Sequence, residues 1–164
     1  MIFGVIQERK SPPDRRVVFT PEELVRLQSQ YPEAKVKVET SPIRVFPDDA
    51  YASLGIEVTT DMTTCDVLFG VKEVPIDALI PNKKYFFFSH TIKKQPYNRK
   101  LLQAVLAKNI ELYDHETIVD AQNKRLIGFG RYAGIVGAYN GFRGFGIKYE
   151  LFTLPKAETL QSKD

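Results

Sequence analysis

The sequence predicts an α/β domain: a doubly wound, mainly parallel sheet with helices on both faces. Two apolar runs, residues 67–71 (Val-Leu-Phe-Gly-Val) and 85–88 (Tyr-Phe-Phe-Phe), carry most of that expectation. Each has strand length and no polar alternation, the pattern of a strand buried on both faces, and such strands belong to parallel sheets covered by helices. The third observation is order, because strand-length and helical segments alternate along the chain.

The first apolar run, 2–6 (Ile-Phe-Gly-Val-Ile), reads as a strand that breaks into the charged stretch 7–16, where Pro12-Pro13 forbids both helix and ladder pairing. Thr20-Pro21-Glu22-Glu23 then starts a helix. Thr20 is the N-cap, Pro21 sits where no amide donor is missed, Glu23 closes a capping box and Phe19 staples onto Leu24. Residues 35–40 alternate as a strand, 48–54 read as a short helix stopped by Gly55, and 56–59 as another strand. Between the two apolar runs 76–80 reads as helical, and 99–108 places Leu101, Leu102, Val105 and Leu106 on one helical stripe. Residues 110–113 supply a further strand, 120–125 a polar turn, and 132–149 a helix despite its glycines. These elements compose a Rossmann-like domain over 1–150, and 151–164 read as a linker or tail.

Composition narrows the classes. With 164 residues, 43% hydrophobic and 26% charged, the chain can bury one core and is neither disordered nor collagenous. No apolar run approaches the ~20 residues of a membrane span, and the start reads as a strand rather than a signal peptide, so the expected location is cytoplasmic with no membrane partner. Cys65 is the single cysteine, which excludes an internal disulfide, and His90 and His115 without a second thiol make no zinc site. A net charge of +3 from 23 basic and 20 acidic residues gives no general attraction for nucleic acid.

In an open parallel sheet the ligand site lies beyond the carboxyl ends of the strands. There the sequence delivers Glu8, Lys10, Arg15 and Arg16 after the first strand, Lys72 and Glu73 after Val71, Ser89, His90 and Lys93 after Phe88, and Asp114, His115 and Glu116 after Tyr113. Any one of these reads best as a solvated loop charge, but together they favour a site. Lys72 and His90 stand out because each follows a buried strand directly and each can move a proton. His115, between two acids, reads as a surface histidine, and Cys65 as a small core residue rather than a nucleophile. Gly128-Phe129-Gly130-Arg131-Tyr132-Ala133 matches a G-x-G-x-x-A dinucleotide fingerprint. The glycines at four-residue spacing favour a smooth face for close helix packing instead, since no firm strand precedes them.

Several separated motifs occur in order: Glu8 to Lys10, Arg16 before Phe19-Thr20-Pro21, Gly70-Val71-Lys72-Glu73-Val74-Pro75, Phe88-Ser89-His90-Thr91-Ile92-Lys93, Leu112-Tyr113-Asp114 with Glu116, and Gly128-Phe129-Gly130 to Gly137. Together they resemble the N-terminal domain of the alanine dehydrogenase and pyridine nucleotide transhydrogenase superfamily, and within it lysine-forming saccharopine dehydrogenase. The resemblance implies a substrate domain facing a separate domain that binds NAD or NADP across a cleft, in cis or in trans, in an enzyme that can be oligomeric. It implies Lys72 and His90 as catalytic residues, Arg16, Lys93 and Lys10 as substrate contacts, and Glu73 and Glu116 as acidic partners. The substrates it implies are lysine, 2-oxoglutarate and saccharopine. Arg15 competes with Arg16 and Lys94 with Lys93; spacing to Thr20-Pro21 favours Arg16. The chain ends near where the family's nucleotide-binding domain should begin, so no cofactor is expected on this chain alone. The other reading of the same pocket is a non-catalytic module that binds an amino or dicarboxylic acid, or a partner chain.

Overall fold

A computed structural model of the chain describes residues 1–160, and the last four residues of the expected tail lie outside the described residues. The chain divides into two compact units, Met1–Leu126 and Ile127–Asp164.

The first unit holds strands β1 (Ile2–Val5), β2 (Lys35–Glu39), β3 (Glu57–Thr59), β4 (Val67–Phe69), β5 (Lys84–Phe87) and β6 (Glu111–Asp114), with helices α1 (Pro21–Gln30), α2 (Asp48–Ala52) and α3 (Arg99–Ala107). Their spatial order is β3-β2-β1-β4-β5-β6 and every pair is parallel. This is the doubly wound, Rossmann-like sheet that the sequence predicts. The order reverses between β1 and β4, which makes their carboxyl ends the topological switch point. One core packs Val5, Val36 and Val38 under Leu24 of α1 and Tyr51 of α2. The other packs Leu68, Tyr85 and Phe87 under Leu79 and under Leu101 and Val105 of α3.

The start of α1 follows its local sequence. The Glu23 amide donates to Thr20 Oγ1 at 3.2 Å, and the Thr20 amide donates to Glu23 Oε2 at 3.0 Å, closing the capping box. Phe19 packs against the cluster that contains Leu24.

Three expectations are corrected. Residues 76–80 form only the single 3₁₀ turn Ile76–Ala78, because Pro81 pushes Ile80 toward extended backbone. On α3 the buried row is Leu101 and Val105, while Leu102 and Leu106 are 41% and 72% exposed; the sheet contacts one i, i+4 row and the adjacent row turns away. Phe69 and Phe86 are half-buried rather than buried. The crossovers from β4 to β5 and from β5 to β6 run in one direction, so their right-handed connections cover the same face. On the opposite face Phe69, Phe86 and Tyr113 stack in a row, with ring centroids 4.9 and 4.6 Å apart.

In the second unit α4 (Gly130–Lys148) follows no strand, since residues 126–129 are irregular, which removes the structural context a dinucleotide fingerprint needs. The glycines expected to serve close helix packing meet no neighbour within this chain: among the described residues nothing lies within 4 Å of a Cβ built at Gly130, Gly134, Gly137, Gly141 or Gly144. Residues beyond α4 run back along it rather than fraying: Arg143 Nε donates to Leu154 O at 3.0 Å and Tyr139 Oη to Pro155 O at 2.9 Å.

Gly4 in β1 is a different case, because a Cβ there would lie 2.5 Å from Met62 Cε, 2.8 Å from Leu68 Cδ2 and 2.9 Å from Cys65 Sγ. Gly4→Ala should therefore lower the unfolding free energy in urea by about 1–3 kcal/mol. Gly134→Ala, free of contacts in a helix, should raise it by up to about 1 kcal/mol; equal losses in both variants would contradict this packing.

Candidate active site at the carboxyl edge of the sheet

The loops leaving β1, β4, β5 and β6 meet at one edge, and buried carboxylates hold them there. Glu8 is 8% exposed; its Oε1 accepts from the Val71 amide at 2.7 Å and its Oε2 from the Lys72 amide at 2.9 Å. Burial pushes the Glu8 carboxyl up from its ordinary value, against those two hydrogen bonds. Glu39, at the end of β2, accepts from the Gln7 amide at 2.9 Å and pairs with Arg9, which fixes the other side of the same loop. So anchored, Lys10 reaches Glu73 at 2.6 Å.

His90 follows β5 in the left-handed backbone region, φ 57° and ψ 10°, a conformation that costs a non-glycine residue on the order of 1 kcal/mol or more. Its surroundings hold it there. Its carbonyl accepts from the buried Asn98 Nδ2 and from the Lys93 amide, both at 3.1 Å. The fully buried Ser89 hydroxyl donates to Asp114, which also accepts from the Glu116 amide at 2.8 Å. The ring is thereby placed between two carboxylates, Nδ1 at 3.0 Å from Glu116 and Nε2 at 3.7 Å from Glu73, with Lys93 Nζ 3.3 Å from Nδ1. A ring with a carboxylate at each nitrogen can hold or pass a proton.

Three nitrogen-bearing side chains gather on Glu116: His90, Lys93 at 3.2 Å and Arg125. Burial alone would raise its pKa, but hydrogen bonds from His90, Arg125 and Lys93 outweigh that and hold the carboxyl at about 2. Burial acts on Glu73 in the same sense, and the Lys10 ammonium beside it brings its carboxyl below the usual range.

The remaining sequence-predicted residues lie toward β1 and β4. The Lys72 amide is held by Glu8, while its ammonium makes no hydrogen bond or ion pair among the described residues. Arg16 pairs with Asp14, Nε to Oδ1 at 2.9 Å, and this guanidinium holds the Asp14 carboxyl below its ordinary value. Arg15 turns instead toward the loop after β2, its Nε 3.4 Å from the Ile43 carbonyl. Of the lysine pair, Lys93 touches His90 and Glu116, whereas Lys94 is exposed and ends a turn at φ 52°.

Sequence reasoning misplaced His115, which is 4% exposed. Its Nε2–H donates to the Gly70 carbonyl at 3.0 Å and its ring meets Phe88 edge-on at 5.1 Å, while burial pushes its pKa down. The acids on either side of it are themselves buried, so neighbouring charge did not mean a surface. The clamp formed by Glu8 went unseen because its partners are 63 and 64 residues away, and Arg125 was read as part of a polar turn although Glu116 is only nine residues before it. An apolar cavity of about 420 Å³ between α1 and the sheet, lined by Phe3, Leu24, Leu27, Tyr31, Val36 and Phe69 among others, lacks the acid–base groups of the edge.

The model of the alanine dehydrogenase/PNT N-terminal domain matches residues 4–136. The chain belongs to this family. It is 39% identical over 114 residues to the mitochondrial alpha-aminoadipic semialdehyde synthase of Mus musculus, covering 70% of this chain and 12% of that protein. It is 28% identical over 131 residues to the NAD(+), L-lysine-forming saccharopine dehydrogenase of Yarrowia lipolytica, covering 77% of this chain and 35% of that protein. Among solved structures an L-alanine dehydrogenase superposes with a TM-score of 0.70 at 18% identity, over 92% of this chain and 42% of the other. The fold and the family follow. This chain thus spans well under half the length of the relatives it matches. No helix among the described residues is long and apolar enough to cross a membrane.

Because the Glu116 carboxyl is depressed in the folded state, its stabilising contribution is complete above the unfolded value near 4.5 and is lost as pH falls toward about 2. Acid titration of the unfolding free energy should show a smaller loss across that window in Glu116→Gln than in the wild type, by up to about 3 kcal/mol. Parallel curves would show that His90, Lys93 and Arg125 do not stabilise the carboxylate.

Proposed function

We propose that this chain is the substrate-binding and acid–base half of a saccharopine dehydrogenase-type oxidoreductase, which joins lysine to 2-oxoglutarate reductively or runs the reverse reaction. The observation that carries the reading is His90 between Glu73 and Glu116, beside Lys93, just beyond the strand that pairs with the one preceding Lys72. The names of the relatives supply the substrate class. NAD or NADP belongs, on this reading, to another domain in cis or in trans. The residues of this chain do not fit a dinucleotide, since the glycine-rich stretch follows no strand, and no hydride step is assigned to them.

The chain's own chemistry is proton transfer and carboxylate binding. When the side-chain amine of lysine adds to the keto carbon, the carbinolamine oxygen must gain a proton before water leaves to give the imine. His90, held between its two carboxylate neighbours, suits that step. The substrate nitrogen must lose a proton before it attacks and regain one after reduction, and Lys72, whose ammonium makes no ion pair, suits that one. Saccharopine has three carboxylates, for which Arg16, Lys93 and Lys10 are the cations at hand. Glu73 and Glu116 hold Lys10 and Lys93 in place, and an ammonium with three donors can keep such a partner while accepting a second.

Calorimetric titration with saccharopine tests this directly. The 164-residue chain should bind it, Arg16→Met should weaken binding about tenfold or more, and the chain alone should not reduce NAD or NADP with saccharopine. Absent binding, or binding indifferent to Arg16→Met and Lys93→Met, would overturn the reading.

A further inference from the structure

We infer that Glu8 is a positioning residue for Lys72, whose carboxylate fixes the turn that presents the lysine ammonium to substrate. The inference rests on the proposed role of Lys72. Lys72 lies three residues beyond the last residue of β4, and it follows Val71, whose carbonyl accepts from the Phe88 amide at 3.1 Å, while the Val71 and Lys72 amides turn to Glu8. Glu8 meets them with both oxygens at once, one on the Val71 amide and one on the Lys72 amide, from a chain position 64 residues away.

The arrangement demands this residue type. Two adjacent N–H donors need two acceptors; glutamine would turn an NH₂ donor against one of them, and aspartate is one methylene shorter. Gly70 borders the clamp: a Cβ there would crowd Ile6 Cδ1 at 3.1 Å and touch Glu8 Oε1 at an ordinary 3.5 Å. His115 pins the same turn from the other side through the Gly70 carbonyl. The turn is thus held from both sides, and Glu8 is the member that touches Lys72 itself. Asp14 and Arg16 lie close enough to act on its carboxyl in opposite senses, Asp14 raising its pKa and Arg16 lowering it.

The test uses the 164-residue chain and its variants Glu8→Gln and Glu8→Ala, with Glu39→Gln as a control that loosens the same loop without touching Lys72. Competitive labelling of Lys72 with acetic anhydride across pH, read by mass spectrometry, reports the environment of its amine, which a merely structural role for Glu8 would leave alone. Amide hydrogen exchange reports the clamp. In Glu8→Gln, which keeps the buried stem and one acceptor, exchange at Val71 or Lys72 should quicken at least tenfold and the Lys72 labelling profile should shift. Saccharopine binding should weaken about tenfold, and Glu39→Gln should leave the Lys72 profile in place. If Glu8→Ala fails to fold, Glu8→Gln decides alone. An unchanged Lys72 profile in a folded Glu8→Gln chain, or the same shift in Glu39→Gln, overturns the inference. Failure of the wild type to bind saccharopine counts against the proposed function, while labelling and exchange still decide the role of Glu8.

Discussion

Burying a carboxylate is the constraint around which the carboxyl edge of this sheet is organised. Each such group loses several kcal/mol of hydration on leaving water and recovers it only through several well-placed donors. Glu8, Glu39, Asp114 and Glu116 are each under 9% exposed, and each meets that demand by holding a different loop. Glu39 ties Gln7 and Arg9 to β2, Glu8 ties the loop after β1 to the turn after β4, Asp114 ties Ser89 to Glu116, and Glu116 collects His90, Lys93 and Arg125. Removing any donor strands a buried charge, so the loops are held more firmly than their position beyond the strands would suggest.

This anchoring is what allows His90 its left-handed backbone. At His90 its neighbours hold that conformation: Asn98 and the Lys93 amide on its carbonyl, and Ser89 on Thr91. The fold supplies the location, because reversal of strand order between β1 and β4 opens a crevice at their carboxyl ends and places β5 beside β4. Site and fold are linked through the same residues: Gly70, whose carbonyl binds His115, leads directly into the Val71 and Lys72 amides that bind Glu8.

Local features of this chain were readable from its sequence. The capping box of α1 involves four consecutive residues, and all six strands announce themselves as short apolar or alternating runs, so no distant contact is needed to see them. The strand-end rule brought Lys72, Glu73, His90, Lys93 and Glu116 to one rim for the same reason. What stayed hidden depends on strand order. The pairing of Glu8 with residues 63 and 64 positions away and the burial of His115 against Phe88 and Gly70 both require β1, β4, β5 and β6 to be set in place first. The half-buried aromatic row on β4, β5 and β6 was misread because a continuous apolar run looks alike whether one face or both are covered. Residues 76–80 failed as a helix because Pro81 acts on the residue before it, which hydrophobic spacing does not register.

The account makes the carboxyl edge, not the apolar cavity beside α1, the place where ligand is held. A crystal structure of the chain with saccharopine bound tests that most directly. The account predicts the secondary amine between Lys72 and His90, with ligand carboxylates on Arg16 and Lys93 and with Glu8 still on the Val71 and Lys72 amides. Saccharopine lodged in the cavity lined by Phe3, Leu24 and Tyr31, or bound at the edge out of reach of both Lys72 and His90, would contradict it.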